Sequence, residues 1–216
     1  MHPQKRRARR EGREPAGQRV GVVDVDEGGA RHARLEKFYH STSRPSLRCL
    51  RPDRAIFRGK RYLPIGLVEA GRGCHFKCDF CAIQSFFDAT HNHRPVDDVV
   101  AEIARVRRRG QMIFFIDDNL TSGMAEAREL LEALIPLKLR WVSQTSINVA
   151  HDEEMLDLMR RSGCQGVLIG LESLHADSLK QMNKSFNLMG GGPAQALANM
   201  AKHRLSVYGT FIFGYD

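Results

Sequence analysis

The sequence predicts an α/β protein built as an incomplete parallel (β/α) barrel, with about five β/α steps present in its 216 residues. Three observations point there. Strand-like and helix-like segments alternate five times from Tyr62 onward. The strands are short, near-continuous apolar runs, the mark of strands buried in a parallel sheet rather than of a half-wet antiparallel one. The polar residues best suited to chemistry fall on or just after those strands, on the rim where such folds collect ligands.

The elements follow in order. Tyr62–Val68 reads as the first strand and leads into a cysteine-rich loop. Residues 95–109 read as a helix: Pro95 suits the first turn, Asp97 and Asp98 favour the positive end of the helix dipole, Arg105 to Arg109 favour the other end, and Gly110 stops it. Met112–Ile116 is the second strand. Met124–Leu134 carries Leu130, Leu131 and Leu134 at helical spacing and ends at Pro136. Trp141–Ser146 is the third strand, and Glu153–Arg161 is a helix with Met155, Leu156 and Met159 on one side, closed by Gly163. Val167–Leu171 is the fourth strand. Ala176–Met182 and Ala194–His203 are helical, with a break at Gly190–Gly191–Gly192, and Tyr208–Phe213 is the fifth strand.

Upstream, residues 1–44 read as a basic, disordered extension with one short candidate strand at Val20–Val25, and residues 45–61 as a linker; residues 62–216 form the barrel. No helix follows the fifth strand, so the barrel is expected to be truncated at its C-terminus, with Tyr208, Phe211 and Phe213 partly exposed.

Composition excludes several classes. No run of about 18 apolar residues exists to cross a membrane. The net charge is +8, but Lys5, Arg6, Arg7, Arg9, Arg10 and Arg13 against Glu11 and Glu14 place +4 of it in the first 14 residues. No aromatic is interleaved with those charges as base stacking would need, so no nucleic-acid partner is expected. Five cysteines, three of them within eight residues, do not form a secreted disulfide framework, and free thiols point to the cytoplasm.

The densest chemical signal is Cys74-His-Phe-Lys-Cys78-Asp-Phe80-Cys81, a C-x3-C-x2-C spacing with an aromatic before the last cysteine. Three thiolates leave one metal position open, which is where chemistry can occur. Arg72 and Lys77 stand beside them in sequence and are expected to lower the thiol pKa values. Two alternatives remain. One is a structural zinc site completed by His75, His91 or His93, in a zinc-structured nucleic-acid-binding protein. The other is an iron-sulfur electron-transfer protein with Cys49 or Cys164 as fourth ligand. Lone Cys164 otherwise reads as a small buried residue. The remaining candidates are Asp117, Asp118 and Asn119 after the second strand, Ser143, Gln144, Ser146 and Asn148 on or after the third, Glu172 and Ser173 after the fourth, and Gly214 after the fifth. Asp117–Asn119 and Glu172–Ser173 could instead cap the helices that follow them.

The cysteine spacing, with Asp117-Asp118-Asn119, Gly170-Leu171-Glu172-Ser173, Met182-Asn183-Lys184 and Gly209 to Asp216, resembles the radical S-adenosylmethionine (SAM) superfamily, and within it the cobalamin-binding-type proteins. The resemblance implies a [4Fe-4S] cluster on Cys74, Cys78 and Cys81, with SAM on the open iron. It implies Phe80 flanking the adenine, Asp117, Asp118 and Asn119 near the methionine amino group, and Ser146 lining the cofactor site. Glu172 and Ser173 would lie near the ribose, Lys184 against the methionine carboxylate, and Ile212 and Gly214 behind the adenine. It implies reductive cleavage of SAM to start radical chemistry, methylation or another C–H transformation, on an unidentified substrate, with a reductase supplying electrons. Cobalamin belongs to full-length relatives; residues 1–60 are too short for a cobalamin domain and carry no Asp-x-His-x-x-Gly signature.

Overall fold

A computed structural model describes residues 46–57, 59–108 and 110–215. The basic tail, the candidate strand at Val20–Val25 and Asp216 lie outside the described residues. Leu47 onward belongs to one compact unit.

Five parallel strands form the sheet: β1 (Ile65–Val68), β4 (Met112–Phe115), β5 (Arg140–Thr145), β6 (Cys164–Glu172) and β7 (Ser206–Phe211), paired in that order. Between them run α2 (Val96–Val106), α3 (Met124–Leu134), α4 (Glu153–Arg161), α5 (Ala176–Gln181) and α6 (Gly192–Lys202). This is the alternation the apolar periodicity predicts. α3 and α4 match their expected bounds. α2 is shorter than expected, because no apolar residue follows Val106 until Met112 and a further turn would bury nothing. β6 is longer than expected: Cys164 begins it and Glu172 ends it, so neither flanks the strand from outside.

Period-two alternation sorts the sheet's two faces. Val68, Ile113, Phe115, Trp141 and Ile169 are buried under the helices with Ile103, Leu131 and Met155. Phe115 and Trp141 meet edge-to-face with centroids 5.7 Å apart, and the indole N–H donates to Ser162 O at 3.1 Å. The opposite face carries Leu67 beside Phe114, and Tyr208, all exposed. Phe211 and Phe213 are exposed too, as expected.

Two elements have no periodic signal. A small antiparallel pair joins β2 (Gly71–Gly73) to β3 (His91–His93), and α1 (Ala82–Phe87) lies between them. Gly73 has φ +89°, and a Cβ there would stand 2.1 Å from Thr90 O, so the close approach of the two strands requires glycine. Parts of the segment expected to be a linker touch the strands and helices, while its Ile56 and Phe57 are exposed. Leu47 is buried, Cys49 N–H donates to Asp98 Oδ2 at 2.7 Å, and Arg54 donates to Leu67 O at 2.8 Å and pairs with Glu102.

Candidate functional site

The cysteine loop, residues 74–81, leaves β2 at the C-terminal end of the sheet and enters α1, with Cys81 as its N-cap residue. Side chains after β4 hold its first part. Asp117 Oδ2 accepts from Ala70 N–H at 3.0 Å, Asp118 Oδ2 from Gly73 N–H at 2.8 Å, and Ser122 Oγ from His75 N–H at 2.9 Å. Asn119 Nδ2 donates to Cys74 Sγ at 3.4 Å and to Ser146 Oγ at 2.8 Å. The two carboxylates therefore bond backbone amides that lead into the loop. They cap no helix: α3 has Gly123 at its N-cap and no side-chain cap.

The segment after α5 holds the other part. Asp79 N–H donates to Met182 O at 3.1 Å, and Asn183 Nδ2 to Lys77 O at 2.7 Å. Phe76 stacks on Phe186 with centroids 4.1 Å apart. Lys184 Nζ lies 5.7 Å from the Phe80 ring centroid and 2.8 Å from Glu172 Oε1. Phe80 is itself exposed and meets Tyr215 edge-to-face at 6.4 Å, beside Ile212 and Gly214 in sequence.

Glu172 sits at a β-bulge, where Gly170 pairs with Thr210 and Glu172 with Phe211, and it takes φ +62°. A bulge re-aims a side chain at the cost of local strain. Asn187, wholly buried, holds the bulge by donating to Gly170 O at 3.1 Å and Leu171 O at 2.9 Å. Sequence reasoning missed Asn187. Its only signal is a polar residue three places after Lys184, and burial becomes visible only once the chain is folded. Ser173 Oγ accepts from His175 N–H at 3.0 Å in the turn before α5. Ser143 is buried within β5 and donates to Phe115 O at 3.0 Å, a bond between strands.

Electrostatics corrects one expectation. Arg72 is engaged by Glu69 at 2.7 Å, and burial pushes the Cys78 thiol up to about 11, while the Lys184 ammonium acts in the opposite direction. Burial also raises the Asp117 carboxyl to about 7, and its Oδ1 is buried without a hydrogen-bond partner.

Among the described residues no group of three or more His, Cys, Asp or Glu side chains is placed to hold a single metal ion. Cys74, Cys78 and Cys81 share one loop, and Cys74 and Cys81 both act electrostatically on Cys78; a set of three thiolates leaves one metal position open. His75 Nδ1 lies 3.0 Å from Ser122 O and His91 Nδ1 lies 2.9 Å from His93 Nε2, while His91 Nε2 is buried without a hydrogen-bond partner. Cys164 begins β6 and Glu172 ends it, roughly 26 Å apart at about 3.3 Å per residue, which puts Cys164 at the far end of the sheet from the cysteine loop.

Comparison with known proteins shows the family and the fold. The family model for the radical SAM superfamily matches residues 68–212. The chain is 34% identical over 161 residues to bacteriochlorophyllide d C-12(1)-methyltransferase of Chlorobaculum tepidum, covering 73% of this chain and 35% of that protein. It is 35% identical over 158 residues to cytidylyl-2-hydroxyethylphosphonate methyltransferase of Streptomyces wedmorensis, covering 69% and 28%. Among solved structures, the radical SAM methyltransferase TsrM of Kitasatospora setae, with cobalamin and a [4Fe-4S] cluster bound, superposes with TM-score 0.59 at 20% identity, covering 70% of this chain and 31% of that one. The chain belongs to the radical SAM superfamily, and its sheet is the partial barrel of that fold. It spans about a third of the length of the curated relatives it matches.

Proposed function

We propose that this chain is the cluster- and SAM-binding core of an enzyme that methylates an organic substrate. One observation carries the reading: the three-cysteine loop lies between Asp117–Ser122 and Met182–Phe186, with Asn119 on the sulfur of Cys74 and Lys184 over the ring of Phe80. Cys74, Cys78 and Cys81 would hold a [4Fe-4S] cluster. When bound, the cluster supplies the single electron that reductive cleavage of SAM needs.

The chain's own residues bind and orient. Asp117, Asp118 and Ser122 preset the loop backbone, so that the thiols need little reorganisation. Phe80, Ile212 and Gly214 flank the adenine, and Ser146 lines the site through Asn119. Glu172 takes the ribose hydroxyls with Ser173, and Lys184 takes the methionine carboxylate. Glu172 and Lys184 neutralise each other without ligand, and SAM binding would give each a new partner. The methylating relatives favour methyl transfer as the outcome. Cobalamin is bound alongside the [4Fe-4S] cluster in the TsrM structure, which makes it a candidate second cofactor for methyl transfer by the protein that carries this core. A cytoplasmic location and a separate reductase complete the proposal; among the described residues no helix is long and apolar enough to cross a membrane.

The test is anaerobic reconstitution of the chain followed by iron and sulfide analysis in single Cys→Ala variants. Iron is expected to be lost on changing Cys74, Cys78 or Cys81 and retained on changing Cys49 or Cys164. Reduced, loaded protein mixed with SAM is then assayed for 5′-deoxyadenosine and S-adenosylhomocysteine. Zinc in place of iron, or full iron loading without Cys78, overturns the proposal.

A further inference from the structure

Asn119 is 2% exposed, and its amide is held at three points. The two Nδ2 hydrogens go to Cys74 Sγ and Ser146 Oγ, and Oδ1 accepts from Thr121 Oγ1 at 3.3 Å. Thr121 in turn shares a hydrogen bond with the hydroxyl of Thr145, the last residue of β5. The amide is therefore fixed by two strand ends at once. If it turned over, an acceptor oxygen would face the cysteine sulfur and an N–H would face the Thr121 hydroxyl. A thiolate sulfur only accepts, so a ligating Cys74 specifies the observed orientation.

From this arrangement we infer that Asn119 is a positioning residue for the cluster, setting its reduction potential through an N–H···S hydrogen bond to Cys74. This rests on the proposal that the three cysteines hold a [4Fe-4S] cluster. A hydrogen bond to a ligand sulfur stabilises the electron-rich, reduced state, and such bonds are among the levers that set cluster potentials. Cys74 is the thiol so bonded, and the bond is made by the protein alone, so the potential set through Asn119 is present before SAM arrives.

The experiment uses the reconstituted chain without substrate. Midpoint potentials are measured by EPR-monitored redox titration for the wild type, Asn119→Leu, Asn119→Asp and Cys49→Ala. Asn119→Leu should load iron and titrate at a more negative potential. Asn119→Asp, which sets an acceptor against the sulfur, should be more negative still. Cys49→Ala, which changes an exposed thiol and leaves the N–H on sulfur untouched, should stay close to the wild type. Wild-type potentials in both loaded Asn119 variants overturn the inference but leave the cluster proposal standing. Absence of a four-iron cluster from the wild type overturns the proposal beneath it. Should the Asn119 variants fail to load, pulsed EPR of the reduced wild type labelled with 15N-asparagine decides: a hyperfine coupling to the side-chain nitrogen is expected, and its absence overturns the inference.

Discussion

Lys184 Nζ lies 2.8 Å from Glu172 Oε1, and both side chains are almost wholly buried, so the pair forms an ion bridge between the end of β6 and the segment that holds the cysteine loop. Removing one partner of such a pair leaves an uncompensated buried charge, at a cost of about 3–5 kcal/mol. Glu172→Gln and Lys184→Met should each destabilise the protein by about that much, and the double variant by clearly less than the sum. Denaturant midpoints of the four proteins give the coupling. Additive effects would show that the two side chains do not depend on each other.

The same pair should also govern SAM binding. Charge-assisted contacts are worth about 1.5–3 kcal/mol each. Glu172→Ala is expected to weaken SAM binding by roughly tenfold or more at about 1.4 kcal/mol per decade. Isothermal titration of the reconstituted chain measures this, and unchanged affinity would remove Glu172 from the site.

Gly170 explains why the bulge takes the residue it does. A Cβ there would lie 2.0 Å from Glu172 Oε1 and 2.7 Å from Lys184 Nζ. Gly170→Ala must push the ion pair aside, at a cost of about 1–3 kcal/mol. SAM affinity should fall with it. A Gly170→Ala protein as stable as the wild type and equally tight for SAM would mean the pair can shift freely.

The Asp117 carboxyl is raised by burial from 3.8 to about 7. Across that window the folded state binds more protons than the unfolded chain, so this group's stabilisation is full below about pH 4 and lost as pH rises to about 7. The difference amounts to something on the order of 4 kcal/mol. Unfolding midpoints of the wild type and Asp117→Asn, compared from pH 5 to pH 8, should diverge with the wild type weakening relative to the variant. Parallel curves would place the carboxyl in a wetter environment than its burial indicates.

Thiol reactivity in the metal-free protein supplies a further check. Burial lifts Cys78 from 9.0 to about 11 and Cys164 from 9.0 to about 12, whereas Cys49 is exposed. Thiolate is the reactive form, so Cys78 should carry roughly 100-fold less of it than an ordinary thiol at neutral pH. Iodoacetamide labelling followed by peptide mass spectrometry should find Cys49 modified first and Cys78 and Cys164 last. Rapid labelling of Cys78 would show that the loop opens before any cluster binds.

The sequence by itself determined the alternation of strands and helices, the order of the parallel sheet's elements and the family, because each rests on local information. Apolar runs mark buried strands, Leu130, Leu131 and Leu134 mark one helical face, and the spacing of Cys74, Cys78 and Cys81 is a property of a single loop. Tertiary structure decided everything that depends on residues far apart in the chain. The β2–β3 pair has no periodic pattern and exists because Gly73 lets His91 and its neighbours approach. One of the two readings of Asp117 and Asp118 in sequence is a helix cap; in the fold they bond amides 47 and 45 residues away. Arg72 looks like a charge for the thiols until Glu69 takes it, and Cys78 responds to burial and to Lys184 instead. The partnership of Asn119 with Cys74 spans 45 residues, and hydrogen bonds of that reach are set by how strand ends meet on a rim, which no local pattern encodes.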